Sequence, residues 1–191
     1  MVRVINYSGR KCIGNFILLW SFLFFFVIII LLLWGNMKIE TGYLYHIKDE
    51  FFDKININGL MINHENGRSR PTYFTIRERD ILWFIPLSSN ISKYKKIIKD
   101  KEEKYGVCRS IMVSEIAGKE AAILLQNAFP TLEKYISHAH VVNGKPLKVI
   151  DSLRDEILDN FRYLLSLKKK GRNLFFTDID AIKKIILDDI N

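Results

Sequence analysis

Two apolar runs, separated by a short charged stretch, constrain this chain more than anything else in it. Thr72-Tyr73-Phe74-Thr75-Ile76 and Ile81-Leu82-Trp83-Phe84-Ile85 are rich in β-branched and aromatic residues and too short for buried helices. They read as neighbouring strands. Pro71 lacks an amide donor, so it begins the first strand or lies at its edge. Arg70 is thereby held extended, just outside the strand. The second run ends in Pro86-Leu87-Ser88-Ser89 and passes into a lysine-rich segment. At such a strand-to-helix corner, hydroxyls and unpaired helical N–H groups meet, and an anion is welcome. A guanidinium at one strand mouth and hydroxyls at the other can grip a phosphodiester. The plainer use of Ser88, Ser89 and Asn90 is helix capping, with Arg70 solvated.

The rest of the chain reads as strands first and helices afterwards, an α+β pattern. Tyr43, Tyr45 and Ile47 alternate with Leu44 and His46, which predicts a strand, and Asn56, Asn58 and Gly59 predict a turn. Residues 63–69 read as an exposed loop carrying His64 and Arg68. Residues 90–105 form a helix with an apolar stripe of Ile91, Tyr94, Ile97 and Ile98. Its other faces hold Lys93, Lys95, Lys96 and Lys99, and Gly106 stops it. Residues 109–116 and 121–129 read as strands around Gly118, and Pro130-Thr131 as the start of a short helix to about Ile136. Asn143-Gly144 marks a tight turn. Residues 151–170 give the clearest helical period, and Thr177 is the expected cap of a last helix.

Charge and motifs bound the function. The formal net charge is +8, which suits a polyanion, either nucleic acid or an anionic membrane. Cys12 and Cys108 form no spacing pattern and read as free thiols. The sequence has no zinc motif, phosphate-binding Gly-rich loop or dinucleotide fingerprint. His138-Ala139-His140 puts two imidazoles on one strand face, with no third metal ligand nearby in sequence. Tyr43, Tyr45, Tyr73 and Trp83 offer rings for base stacking, although alternating aromatics serve more often as core. Residues 16–34 are an almost unbroken apolar run, long enough to cross a bilayer, preceded by Arg3, Arg10 and Lys11.

Arg70-Pro71 leading into a strand, with Pro86-Leu87-Ser88-Ser89 ending one, resembles the MazF/Kid superfamily of toxin endoribonucleases. Within it the chain is most similar to the ToxN/AbiQ/CptN toxins of type III toxin–antitoxin systems, nearest the CptN branch. The likeness begins at Met37-Lys38-Ile39-Glu40-Thr41-Gly42-Tyr43 and runs to the C-terminus. It includes Gly59-Leu60-Met61-Ile62-Asn63-His64-Glu65-Asn66-Gly67 and Leu125-Gln126-Asn127-Ala128-Phe129-Pro130-Thr131. It implies an endoribonuclease domain over 37–191, built on a small, strongly bent antiparallel sheet of the MazF/Kid barrel kind with helices around it. Residues 1–36 fall outside the likeness. They are either an extension from an upstream start codon or an anchor that would place the chain at the inner membrane through a helix at 16–34.

The resemblance also implies a chemistry. RNA supplies its own nucleophile, the 2′-OH, so the protein needs only to move protons and stabilise the phosphorane, with neither cofactor nor metal. Arg70 and Ser88 are the residues carried over, with Ser89 beside Ser88 and Tyr73 on the neighbouring strand. The family pattern has a lysine soon after the hydroxyl pair; here Asn90 stands there and the first lysine is Lys93. His64 is a further acid–base candidate. Arg68, Lys95, Lys96 and Lys99 are candidates for tracking an RNA backbone. The implied partners are mRNA as substrate and a short structured repeat RNA as antitoxin, in a closed protein–RNA assembly in the cytoplasm, acting in phage defence. A non-catalytic RNA-binding module and a membrane-anchored protein are the alternatives.

Overall fold

The computed structural model describes residues 39–65 and 67–189. The apolar run at 16–34 lies outside them, as does Cys12; Cys108 is a free thiol. Among the described residues the chain forms β1 (Leu44–Ile47), α1 (Asp49–Ile55), β2 (His64–Glu65), β3 (Arg68–Ser69), β4 (Pro71–Glu78) and β5 (Ile81–Ser88). It continues as α2 (Ile91–Tyr105), β6 (Met112–Ile116), β7 (Lys119–Ile123), β8 (Phe129–Leu132) and β9 (Ile136–Ala139). Last come β10 (Val141–Val142), β11 (Lys145–Pro146), α3 (Asp151–Lys169) and α4 (Ile179–Leu187). This is an α+β fold with antiparallel pairing throughout the main sheet.

β5 is the axis of that sheet. All eight of its residues are buried, as befits a strand covered on both faces. One side pairs along its length with β4, from Glu78↔Ile81 to Thr72↔Pro86. The other side is shared: residues 81–84 pair with β8, and Leu87 and Ser88 pair with β7. Pro86 lies where β5 changes partner, the one part of a central strand where a missing N–H costs little. The strand path runs β6-β7-β5-β4-β1-β9, with β8 beside β5. It is open among the described residues, so the barrel-like closure expected from the resemblance is not seen. β2–β3 and β10–β11 pair as separate two-stranded ribbons instead of bridging the ends.

The core lies between the sheet and its helices. α3 buries Leu153, Ile157, Phe161 and Leu164, the residues whose spacing predicted it. Phe161 meets Trp83 of β5 edge-on at 5.4 Å. α4 buries Ile179, Ile182 and Ile186. A smaller apolar cluster of Tyr94, Ile111, Ala122 and Leu124 fixes α2 over the β6–β7 hairpin. Asn90 caps α2, its side chain accepting from Lys93 N–H at 3.4 Å, and Gly106 closes it in the left-handed region at φ 80°.

Three local expectations are corrected, and one helix is added. α1 occupies Asp49–Ile55, where no helix was predicted; its seven residues are too few to show a period, and Phe51 and Ile55 anchor it. The short helix expected over 130–136 is instead β8, a 3-10 turn at Glu133–Tyr135, and β9. Pro130 is tolerated in β8 because that strand has a single neighbour, β5. The strand expected over 121–129 stops at Ile123 and turns through Leu125–Asn127. Asp178, not Thr177, caps α4, accepting from Ala181 N–H at 3.1 Å, while the Thr177 hydroxyl donates to the Gly59 carbonyl at 3.0 Å.

Candidate active site

The sheet brings Arg70 and Ser88 to one place. Thr72 pairs with Pro86, so two residues further out Arg70 comes level with the end of β5. Its Nη1 donates to the Leu87 carbonyl at 2.7 Å and its Nε to the Ile62 carbonyl at 3.4 Å, which fixes the guanidinium beside Ser88. The Arg70 amide donates to the Asn63 carbonyl at 2.6 Å, and the Asn63 side-chain amide donates to the Ile47 carbonyl and to Asp49. The loop carrying Arg70 is thus tied to β1. Ser88 is buried, and its Oγ accepts from Asn90 N–H at 3.2 Å, leaving its own O–H to donate elsewhere. Ser89 is exposed beside it.

These residues line a cleft of about 870 Å³, together with Arg68 and Ser69 and with Ile116, Lys119 and Glu120 of the β6–β7 hairpin. His46, His140 and Leu147 complete it. The cleft therefore holds Arg68, Arg70, Ser88 and Ser89 of the sequence-predicted set. It does not hold the others. Tyr73 points into the core, its hydroxyl buried without a hydrogen-bond partner among the described residues, and burial pushes its pKa up. Trp83 and Tyr45 are core as well. His64 is exposed and pairs with Asp49 at 2.5 Å, helping Asn63 to hold that carboxyl below its usual range. Lys93 lies on α2 with its ammonium over the Tyr94 ring. Lys95 pairs with Glu120 at 2.7 Å, Lys99 faces Glu103 at 3.8 Å, and Lys96 is exposed.

Sequence reasoning missed that His46 and His140 meet in the lining of this cleft. His46 is opposite Pro71 in β4 on one side and His138 in β9 on the other. Its ring stacks on His138 at 4.5 Å and 13°. Its Nε2 is 2.9 Å from His140 Nδ1, and its Nδ1 is 2.7 Å from Ser69 Oγ. The third imidazole that the His138-Ala139-His140 pair lacked in sequence is this one, 94 residues away. A stacked pair and a direct nitrogen-to-nitrogen hydrogen bond spend these rings on one another. Among the described residues no cluster of His, Cys, Asp or Glu is placed to hold a metal ion.

Burial first, then the neighbouring His138 and His140, lowers the His46 pKa to about 4. Burial and His138 also lower that of His140. Both rings are therefore neutral near pH 7. The linkage has a definite sign. The unfolded chain takes up a proton on His46 near pH 6.5 that the folded chain refuses until about pH 4. Stability on this account is unaffected above pH 6.5 and declines as pH falls from there to about 4, by up to about 3 kcal/mol. Urea unfolding across that range is expected to show the stability gap between wild type and His46→Gln narrowing by a similar amount; a constant gap would contradict it.

No protein-family model matches the sequence, and no curated protein matches it significantly. Solved structures do resemble it. One is AbiQ, a lactococcal anti-phage endoribonuclease of a type III toxin–antitoxin system, with 15% identity and a TM-score of 0.60 over 80% of this chain and 100% of that one. A second comes from a bacterial antiviral system regulated by a processed non-coding RNA, with 14% identity and a TM-score of 0.59 over 76% of this chain and 98% of the other. A third belongs to work on type III systems in which a non-coding RNA pseudoknot selectively inhibits the toxin; it is 13% identical, with a TM-score of 0.57 over 80% and 99%. Identity this low speaks to architecture alone, and the match spans nearly the whole of each neighbour. The described residues thus have the fold of these type III toxin–antitoxin endoribonucleases, and they bring Arg70 and Ser88 together in one cleft.

Proposed function

We propose that this chain is the endoribonuclease toxin of a type III toxin–antitoxin system, nearest the CptN branch, and that it cuts RNA without a metal to leave 2′,3′-cyclic phosphate ends. The observation that carries the reading is the meeting of Arg70 and Ser88 in the lining of one cleft, on a fold shared with such enzymes. The Arg70 guanidinium presents a fork of donors to the phosphorane. Ser88 orients and polarises the phosphate from the other side. The substrate is mRNA, and the inhibitor is a short structured repeat RNA that fills the same cleft in a closed protein–RNA assembly. Both partners place the protein in the cytoplasm. Phage defence is the expected role, as for the anti-phage enzyme of the same fold.

Incubating the protein with RNA in EDTA and examining the new ends tests this. Cyclic phosphates formed in EDTA are the expected result. Intact RNA that is nevertheless bound would favour the non-catalytic RNA-binding module instead.

The α2 lysines give a separate prediction. Reversing Lys95, Lys96 and Lys99 to glutamate is expected to weaken RNA binding and to flatten its dependence on log salt by about two to three units, because each backbone contact releases about one counterion. Lys95 already faces Glu120, so it contributes the least of the three. Filter binding over a salt series is the measurement. An unchanged slope would make this helix face a merely solvated one.

A further inference from the structure

The proposed function leaves open which groups move the protons. The geometry points to Ser69, His46 and His140 as a proton relay in the lining of the cleft, with His140 as general base and Ser69 as general acid, joined through His46. This deepens the endoribonuclease reading and rests on it.

The three side chains form one continuous line: Ser69 Oγ to His46 Nδ1 at 2.7 Å, and His46 Nε2 to His140 Nδ1 at 2.9 Å. All three line the same cleft as Arg70 and Ser88. Between β5, which carries Ser88, and β1, which carries His46, lies only β4, whose first residue follows Arg70. Two strand spacings come to about 10 Å. A phosphate beside Arg70, its ribose and one nitrogen accepting from the 2′-OH fill such a span.

A neutral imidazole has one donor and one acceptor nitrogen, so the line has two arrangements. In the first, His140 Nδ1–H donates to His46 Nε2, and His46 Nδ1–H donates to Ser69 Oγ. His140 Nε2 is then a bare acceptor, and the Ser69 O–H is free to turn into the cleft. In the second, Ser69 O–H donates to His46 Nδ1, His46 Nε2–H donates to His140 Nδ1, and His140 Nε2 carries the proton. Cleavage takes the first to the second. The 2′-OH gives its proton to His140 Nε2 while O2′ bonds to phosphorus. The His140 Nδ1 proton passes to His46 Nε2, and the His46 Nδ1 proton passes to Ser69 Oγ. The original Ser69 proton goes to O5′ as the P–O5′ bond breaks. One proton has moved from 2′-OH to 5′-OH, one P–O bond has formed and one has broken, and the protein's net charge is unchanged. Exchange with water restores the first arrangement.

The relay needs neutral rings, and the surroundings provide that. His46 is 8% exposed, and burial together with His138 and His140 keeps it unprotonated well below pH 6. The charged groups around the same cleft are Arg68 in β3, Arg70 just before β4, and Lys119 and Glu120 on β7. The three cations oppose imidazolium, and Glu120 is turned toward Lys95. His138 serves as the stacking partner that positions His46.

The test uses the full chain and an oligoribonucleotide spanning a site mapped with wild type, made with either the natural 5′-oxygen or a 5′-sulfur leaving group. Sulfur leaves without a proton, so it bypasses the acid. Ser69→Ala is expected to lose about 10²-fold on the oxygen substrate and to return to within about tenfold of wild type on the sulfur one. His140→Gln is expected to lose about 10²-fold on both, and His46→Gln to lose rate on both while its low-pH limb changes shape. Binding of the same RNA carrying a 2′-deoxy sugar at the cut site should stay within about tenfold throughout. Equal losses for Ser69→Ala on both substrates, or wild-type rates in folded His140→Gln, would overturn the relay and leave the endoribonuclease reading standing. A folded wild-type protein that cleaves no RNA, and so gives no site to map, would overturn both.

Discussion

Arg70→Ala is expected to lower the rate of RNA cleavage by about 10³-fold while RNA affinity stays within about tenfold of wild type. The reason is a division of labour. Binding energy is spread over many cationic contacts, so the loss of one is small. The charge that develops on the phosphorane is met by few groups, and Arg70 is held at the site by its bond to the Leu87 carbonyl. Arg70→Lys should recover little, since a single ammonium cannot reach the Leu87 carbonyl and the phosphate as a planar fork does. Ser88→Ala should cost about 10²-fold. Single-turnover cleavage, with thermal unfolding to show that each variant is folded, is the measurement. A folded Arg70→Ala protein that cuts at the wild-type rate would remove Arg70 from the chemistry.

Gly59→Ala is expected to destabilise the fold by about 3–5 kcal/mol, among the largest effects of a single methyl group. Gly59 sits at φ +88°, a conformation that an L side chain resists. A Cβ there would stand 2.3 Å from the Phe176 carbonyl oxygen and 3.0 Å from its carbon. Backbone cannot turn aside as the tip of a side chain can. The same segment is held from two other sides, by Phe176 N–H donating to the Gln126 carbonyl at 2.8 Å and by the Thr177 hydroxyl on the Gly59 carbonyl. Gly144 is the control. Its φ is +77° but nothing lies within 4 Å of its Cβ position, so Gly144→Ala should cost only about 1–2 kcal/mol. Urea denaturation of both variants decides the matter, and equal losses would mean that the close approach at Gly59 relaxes.

What could be read from the sequence was what local chemistry dictates. Pro71 opens β4 because a residue without an N–H belongs at a strand start, and the same rule puts Arg70 just outside that strand. Pro86-Leu87-Ser88 ends β5 as expected, and Leu153, Ile157, Phe161 and Leu164 recur at a spacing only a helix can bury on one side. Pro130 misled because proline begins helices as readily as it sits in edge strands, and only the pairing with β5 decides between them. Tyr73 misled because β4 is bulged between Phe74 and Ile76, with Tyr73 and Phe74 both buried, so strand alternation does not tell which ring meets solvent. His46 was read as one strand residue and His138 and His140 as an incomplete metal pair. Their union depends on β1 lying beside β9, a register that no local pattern encodes.

That long-range union has a consequence in time. The cleft is assembled from residues as far apart in the chain as Leu44 and Leu147, and β5 finds neither β7 nor β8 until they have been made. Arg70 and Ser88 leave the ribosome about 50 residues or more ahead of His140, which at 5–20 residues per second is an interval of roughly 3–10 s. A growing chain therefore has Arg70 and Ser88 well before it has the imidazole of His140. On the proposed function, cleavage begins only once most of the domain has been made.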